Sequence, residues 1–223
     1  MSSIFEDAMG EDFRRLHPML QRRFGMGLET GYACVGRGTM RRIRRGPWWT
    51  VPFLQLGRLR NILVPDTGTE VPFVIHNYPY RDPFGREAVT FVREYEIGGR
   101  ARRFDATMVR AADGHVLDYL GTHQHLAVDL DLSVEDDGSL LVRTDAQRFY
   151  EHRAAFSFPM LFSGRAELRE RYDDQAEVFR VDLAVTNPVF GFLFGYDGEF
   201  TCDFPDAHDA PQVLKPTRYE HRE

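Results

Sequence analysis

Residues 87–110 read EAVTFVREYEIGGRARRFDATMVR, and the fold follows from how that stretch alternates. From Glu87 to Ile97, and again from Arg102 to Arg110, apolar and polar side chains follow one another with the period of two that a half-buried strand requires. Gly98-Gly99 between them is a hairpin signal, because glycine enters the left-handed region without a Cβ clash. The same pattern extends outward. Tyr32 to Arg45, Val71 to Tyr78, His115 to Leu120, Leu126 to Val134 and Leu140 to Phe149 read as strands. So do Arg165 to Tyr172, Val178 to Thr186 and Phe190 to Phe204. Asp113-Gly114, Asp137-Gly138 and Asp173-Asp174 are further turns,. No helix-length crossover separates these runs, so the pairing is antiparallel. About nine or ten such strands must close or stack to protect their edges. The expected fold is mainly β: a single-domain antiparallel β-barrel of lipocalin-like size with two short N-terminal helices.

The barrel is expected over residues 31–204, after an N-terminal helical segment at 1–30 and before a C-terminal tail at 205–223. Phe13, Leu16, Leu20 and Phe24 recur at helical spacing with arginines between them, which predicts a helix over Asp12 to Phe24,. Pro18 either occupies its first turn or bends it, and Gly25 and Gly27 stop it. Within the barrel, residues 52–63 carry Phe53, Leu56, Leu59, Ile62 and Leu63 at spacings of three and four, a second short helix ended by Pro65,.

Composition excludes several classes. The chain has 223 residues, 43% hydrophobic and 28% charged, which is the balance of a globular protein rather than a disordered one,. No apolar run is long enough for a membrane helix, and Met1 to Gly10 lacks the apolar core of a secretory signal, so a cytoplasmic location is expected,. A net charge of −6 argues against nucleic-acid binding,. Arg37, Arg41, Arg42, Arg44 and Arg45 then read as a salt-bridged surface. Lys215 is the sole lysine among 28 basic side chains, a bias that a GC-rich genome produces unaided. Cys34 and Cys202 make neither a disulfide scaffold nor a zinc spacing; one disulfide between them stays open.

Residues able to do chemistry fall in several clusters. On one strand face His123 and His125 converge, with Asp129 and Asp131 continuing it, a set able to hold a metal or a ligand. A polar edge with Leu126, Val128, Leu130 and Leu132 turned to the core fits the alternation better, and no metal is assigned. Asp118 and Tyr119 offer a general base and a hydroxyl donor, or a turn acid and a rim tyrosine. Arg93 shares a face with Phe91 and Tyr95, where a guanidinium grips an anion bidentately between rings. Its structural alternative is charge pairing of Arg93-Glu94 against Arg102-Arg103. Arg148 is a further polar candidate. Phe190, Phe192, Phe194 and Tyr196 are expected on one face, lining a cavity or filling a core. Trp48, Trp49 and Phe53 serve either as a lid or as an anchor. GxGxxG, P-loop, HExxH and nucleophile-elbow sequences are lacking, so no cofactor is expected,.

Six segments carry a resemblance: Phe13-Arg-Arg-Leu-His-Pro-Met-Leu-Gln21, Gly36-Arg-Gly-Thr-Met40, Arg103-Phe-Asp-Ala-Thr-Met108, Asp118-Tyr-Leu-Gly121, Ser163-Gly-Arg-Ala166 and Asn187 through Phe200. In order along nearly the whole chain, they resemble the bacterial domain-of-unknown-function family numbered 4166. The resemblance implies a bacterial origin and a domain that stands alone or is attached to an oxidoreductase-like domain. It brings no catalytic residues.

The leading expectation is a barrel that binds an apolar or polycyclic small molecule through Trp48, Trp49, Phe91, Arg93, Tyr95, His125, Arg148, Phe192, Phe194 and Tyr196. The alternative is a cofactor-independent cyclase or isomerase of a bacterial metabolite, with Asp118, Tyr119 and His123 as its catalytic groups. The third is a structural or interaction module for an oxidoreductase partner.

Overall fold

In the computed structural model the chain is described at residues 2–48, 51, 61, 66–151, 154–157 and 164–223. The strands, in chain order, are β1 (Cys34–Arg45), β2 (Gly68–Asn77), β3 (Pro79–Arg81), β4 (Glu87–Thr90), β5 (Val92–Ile97), β6 (Arg100–Phe104) and β7 (Ala106–Arg110). Then follow β8 (Val116–Leu120), β9 (Leu126–Val134), β10 (Leu140–Glu151), β11 (Ala154–Ser157), β12 (Arg165–Asp173), β13 (Val178–Asn187) and β14 (Gly191–Asp203).

The 87–110 hairpin is one ladder in one register. Ala88 faces Val109, Phe91 and Ala106 exchange backbone hydrogen bonds of 2.8 and 3.1 Å, and Arg93 faces Phe104. Phe91 and Asp105 mark the joins within the two arms, and the Asp105 N–H points away from the hairpin to donate to Asn61 O at 2.9 Å. β2 and β3 likewise keep one register along the hairpin, with Phe73 opposite Tyr95 and Pro79 opposite Val89. From β8 the sheet curls antiparallel through β9, β10, β12, β13, β14 and β1 to β2, a half-barrel. The hairpin spans the remaining gap, since β5 pairs with β2 and β7 pairs with β8. The wall is therefore barrel-like, with β3 and β6 at the free ends of the strand order. The Gly98-Gly99, Asp113-Gly114, Asp137-Gly138 and Asp173-Asp174 turns all join paired neighbours, as expected. The short strands β3 and β11 are additions that periodicity did not reveal.

The N-terminal segment packs its apolar face against the sheet, but not as one helix over Asp12 to Phe24. An α-helix, α1 (Ile4–Met9), comes first, followed by a 3₁₀ turn at Gly10–Arg15 and a second helix, α2 (Pro18–Phe24). Ser3 caps α1 by accepting from Glu6 N at 3.1 Å,. Pro18 forces the restart: it holds His17 extended at ψ 140°, and His17 Nδ1 then accepts from Met19 N at 3.2 Å,. Phe5, Leu20 and Phe24 are buried, each contributing roughly 1.5–3 kcal/mol if fully removed from water,. The His17 N–H donates to Gly138 O at 3.0 Å, tying the segment to the β9–β10 turn. The expected helix at 52–63 and Trp49 lie outside the described residues, apart from Asn61 in a turn.

Alternation sorts the sheet into two faces. Leu126, Val128, Leu130 and Leu132 turn into the enclosure as expected. On the outer face Tyr80, Val109, Leu117, Tyr119, Ala127 and Tyr150 form a second apolar cluster, with Ala210 and Tyr219 of the C-terminal tail packed on it. Glu220 N donates to Gln124 Oε1 at 2.7 Å, Thr217 N to Thr122 O at 2.8 Å and Tyr119 Oη to Arg222 O at 2.8 Å. Burial alone would raise the Glu220 carboxyl, but hydrogen bonds and charge from Arg222 bring it down to about 2. Arg37 pairs with Asp203 and Arg41 with Asp197, the surface ion pairing expected of the basic run. Cys34 and Cys202 are free thiols. Among the described residues no helix is long and apolar enough to cross a membrane.

The β1–β14 seam is packed backbone to backbone at Gly38, where an added Cβ would stand 2.0 Å from Glu199 O and 2.5 Å from Phe200 Cα. Gly38→Ala is therefore expected to lower the unfolding free energy by about 1–3 kcal/mol in urea titrations, the cost of overpacking a filled site.

Candidate functional site

Inside the curled sheet lies a cavity of about 50 Å³. Its floor and walls come from strands around the sheet, among them Phe73 on β2, Met108 on β7, Leu130 on β9, Leu140 on β10, Leu168 on β12 and Tyr196 on β14. Phe5 of α1 and Phe24 of α2 close it. Two charged side chains of opposite sign, Arg23 and Glu170, share one wall, and Arg93 stands alone on another.

Arg23 and Glu170 are paired. Leu20, Arg23 and Phe24 share the inward face of α2, and Ala166, Leu168, Glu170 and Tyr172 alternate along one face of β12. Arg23 donates through Nε to Glu170 and through Nη1 to Asn77 Oδ1 at 2.9 Å and Cys34 Sγ at 3.1 Å. Burial would depress the guanidinium, but the Glu170 charge, the Cys34 and Cys202 sulfurs and the hydrogen bond to Glu170 together outweigh it and raise it. A hydrogen bond from Cys202 and the Arg23 charge hold the Cys34 thiol below its usual value, against its burial.

Arg93 has no such partner. It is 7% exposed, 4.7 Å from the Phe104 ring centroid and 5.7 Å from that of Phe91. Its hydrogen bond to Phe91 O is long, 3.4 Å. Among the described residues it enters no ion pair. The nearby acid is Asp118, which faces inward from β8 between Met108 and Val128 and is likewise 7% exposed. Among the described residues Asp118 Oδ1 has no hydrogen-bond partner. Burial lifts the carboxyl to about 7, with the Arg93 charge pulling it back. Tyr95 and Tyr196, with ring centroids 6.2 Å apart, complete the polar set; burial drives both phenols up.

The structure thus brings Phe91, Arg93, Tyr95, Asp118, Phe194 and Tyr196 to one interior. It separates others expected beside them. Tyr119 follows Asp118 in a strand and so faces the opposite way, under the tail, where Arg86 Nη1 donates to it at 3.3 Å,. Phe192 lies on the outer face because a bulge between Val185 and Thr186 of β13 and their partners shifts the register of β14 at Leu193,. Its ring lies 5.4 Å from the Arg44 guanidinium, and Phe190 is 42% exposed in the preceding turn. Phe200 replaces them in the inward aromatic row. His123 and His125 sit in the β8–β9 turn rather than on a strand, stacked 5.6 Å apart. His125 Nδ1 is 2.9 Å from both Tyr150 O and Arg218 Nη1 of the tail. Asp129 faces outward to bind Arg148 bidentately and His115 at 2.9 Å, which engages Arg148 away from the cavity. Trp48 is 78% exposed. Among the described residues no His, Cys, Asp and Glu cluster is arranged to hold a metal.

Sequence reasoning missed Arg23 and Glu170, although a signal existed. Each interrupts an otherwise apolar face, one at helical spacing and one at strand spacing.

Two outcomes follow from these buried charges. Glu170→Gln, which strands Arg23, is expected to cost about 3–5 kcal/mol by chemical denaturation, and Arg23→Met with Glu170→Met to recover most of it. Asp118 has a folded-state pKa above its unfolded one, so its protonated form favours the fold and stability declines as pH rises from about 4 through 7,. Asp118→Asn should flatten that decline in denaturant midpoints measured from pH 4 to pH 8.

Among known proteins, the chain is 28% identical over 201 residues to the "Uncharacterized protein YndH" of Bacillus subtilis (strain 168), covering 90% of this chain and 97% of that one. No solved structure gives a significant match. Residues 16–200, from the close of the N-terminal 3₁₀ turn to the end of the inward aromatic row, match the model described as Domain of unknown function (DUF4166), and the chain belongs to that family.

Proposed function

We propose that this protein binds a small molecule inside its barrel-like sheet, with apolar walls around the body of the ligand and Arg93 at its polar end. The observation that carries this reading is a buried guanidinium, framed by two aromatic rings, that borders a cavity and enters no ion pair among the described residues. Buried charges are ordinarily paired, because desolvating one alone is costly. Apolar walls with a few convergent polar groups are the usual make-up of a ligand site. Size narrows the occupant. A volume of about 50 Å³ is far below the roughly 300–1,000 Å³ of pockets for drug-sized ligands,. A small ligand fits the resting enclosure, whereas a polycyclic one requires the helical cap to move.

A second reading rests on Asp118. A buried carboxyl poised near neutrality suits general acid–base chemistry, and this supports a cofactor-independent cyclase or isomerase working in the same interior,. Tyr119 and His123 lie outside that interior, so Tyr95 and Tyr196 are the hydroxyls buried on the same inner face of the sheet as the acid.

Binding is testable without knowing the ligand. In methyl NMR spectra recorded against a library of fragments of up to six heavy atoms, Met108, Leu130 and Leu168 are expected to shift together. Leu130→Phe, which fills the cavity, should abolish those shifts while leaving the remaining spectrum folded. A library that moves none of the three methyls overturns the reading.

A further inference from the structure

The interior holds two positive and two negative side chains, arranged unequally. Arg23 and Glu170 touch and neutralise each other. Among the described residues, Arg93 and Asp118 feel each other's charge without meeting in an ion pair, and the Asp118 carboxylate keeps one oxygen without a hydrogen-bond partner. From this arrangement we infer that the occupant of the cavity is an anion, a short aliphatic carboxylate, which takes Arg93 as its partner while Asp118 takes up a proton. The inference rests on the cavity being a small-molecule site and specifies what enters it.

Charge balance is the physical reason. In the empty interior, ionised Asp118 offsets Arg93 through space. A carboxylate that pairs bidentately with Arg93 supplies a closer counter-charge. With both anions ionised the interior would carry a net negative charge in a low-dielectric enclosure, which is strongly unfavourable. Asp118 is not itself among the cavity-lining residues, but it shares the field of Arg93, and protonating it restores neutrality. One proton leaves solvent and joins an Asp118 oxygen; no covalent bond of the ligand changes. The acyl chain then lies among Met108, Leu130 and Leu140.

The surroundings single out Asp118 for this role. Its cross-strand neighbours Met108 and Val128 are apolar. Of the charged groups on the neighbouring elements, Arg93 of β5 is the one whose charge reaches it; Glu170 of β12 is already held by Arg23, and Tyr95 and Tyr196, whose rings lie 6.2 Å apart, are neutral phenols pushed up by burial. α1 contributes Ile4 and Phe5 to the buried interior; its Glu6 acts on Tyr32 and its Asp7 accepts from Ser2. Arg102, at the free β6 end, is neutralised by Asp66 through two hydrogen bonds of 2.6 and 3.1 Å. Arg103 is held by Asp105.

The sign of the pH effect follows. Binding is complete while Asp118 is protonated in the free protein and weakens as pH rises through the value near 7 at which it ionises. For acetate, propionate and isobutyrate, affinity measured by calorimetry is expected to fall about 90-fold between pH 6 and pH 9. At pH 8, titrations in buffers of different ionisation enthalpy should report roughly 0.9 proton taken up per carboxylate bound. That readout uses the unaltered protein and does not depend on a variant folding. Asp118→Asn should bind propionate with less than a twofold change over the same range. The matched amides, acetamide, propionamide and isobutyramide, separate this inference from the reading beneath it. If the amides bind as tightly as the carboxylates, or if carboxylates bind without proton uptake, the site survives and the anion inference falls. If neither series binds or shifts the cavity methyls, both fall.

Discussion

A β-sheet of this size needs its two edges joined, and here the join is the register of one hairpin. Because residues 87–97 and 100–110 stay in phase through Phe91 and Ala106, the hairpin pairs β2 with one half and β8 with the other. A slip of one residue would turn Phe91, Arg93, Tyr95 and Met108 from the interior to solvent together, because strand side chains alternate with a period of two. The interior of the protein, charges included, is thus held by a backbone ladder rather than by any particular side-chain contact. α1 and α2 can then be short. They cap an enclosure that the hairpin has already drawn together, adding Phe5, Leu20 and Phe24 to its core.

The same alternation governs what lies outside. Asp118 and Tyr119 are neighbours in sequence and occupy opposite worlds, one a buried acid on the inner face, the other a phenol pinned under the tail. The tail converts the outer face of β4, β7, β8 and β9 into a second small core and fastens it with Glu220, which accepts from Arg218 and Arg222 at 2.6 Å each. Arginine serves both regions through its planar fork: bidentate with Asp129 at Arg148, stacked on Phe104 at Arg93,.

Much of this was legible in the residues. Glycine and aspartate turns at 98–99, 113–114, 137–138 and 173–174 separate the strands, and alternation placed Arg93 with Phe91 and Tyr95 correctly. What alternation cannot register is an inserted residue. The bulge at Leu193 adds one residue to β14, so Phe192 and Phe194 face opposite sides although their spacing says otherwise,. Nor does spacing report a turn: His123 and His125 stack because Gln124, at φ 50°, reverses the chain between β8 and β9. Arg23 and Glu170 lie 147 residues apart, and only the folded barrel makes them a pair. The docking of residues 205–223 on the outer face depends on tertiary contacts with no periodic trace.

The cavity contrasts with the close packing along β1. At Gly36, an added Cβ would stand 2.6 Å from Ile75 and 2.8 Å from Phe200, and Gly38 meets backbone directly. A fold with that degree of closure could fill a void of about 50 Å³ with a larger apolar residue, which by the cavity term alone would gain about 1 kcal/mol,. A larger apolar side chain there would instead lie against the Arg93 guanidinium, which borders the void and enters no ion pair among the described residues. Enclosing such a charge further without a partner is costly, so electrostatics opposes the packing gain at this one place. That opposition is a physical reason for the void to persist, and it is the ground on which the proposed anionic guest rests.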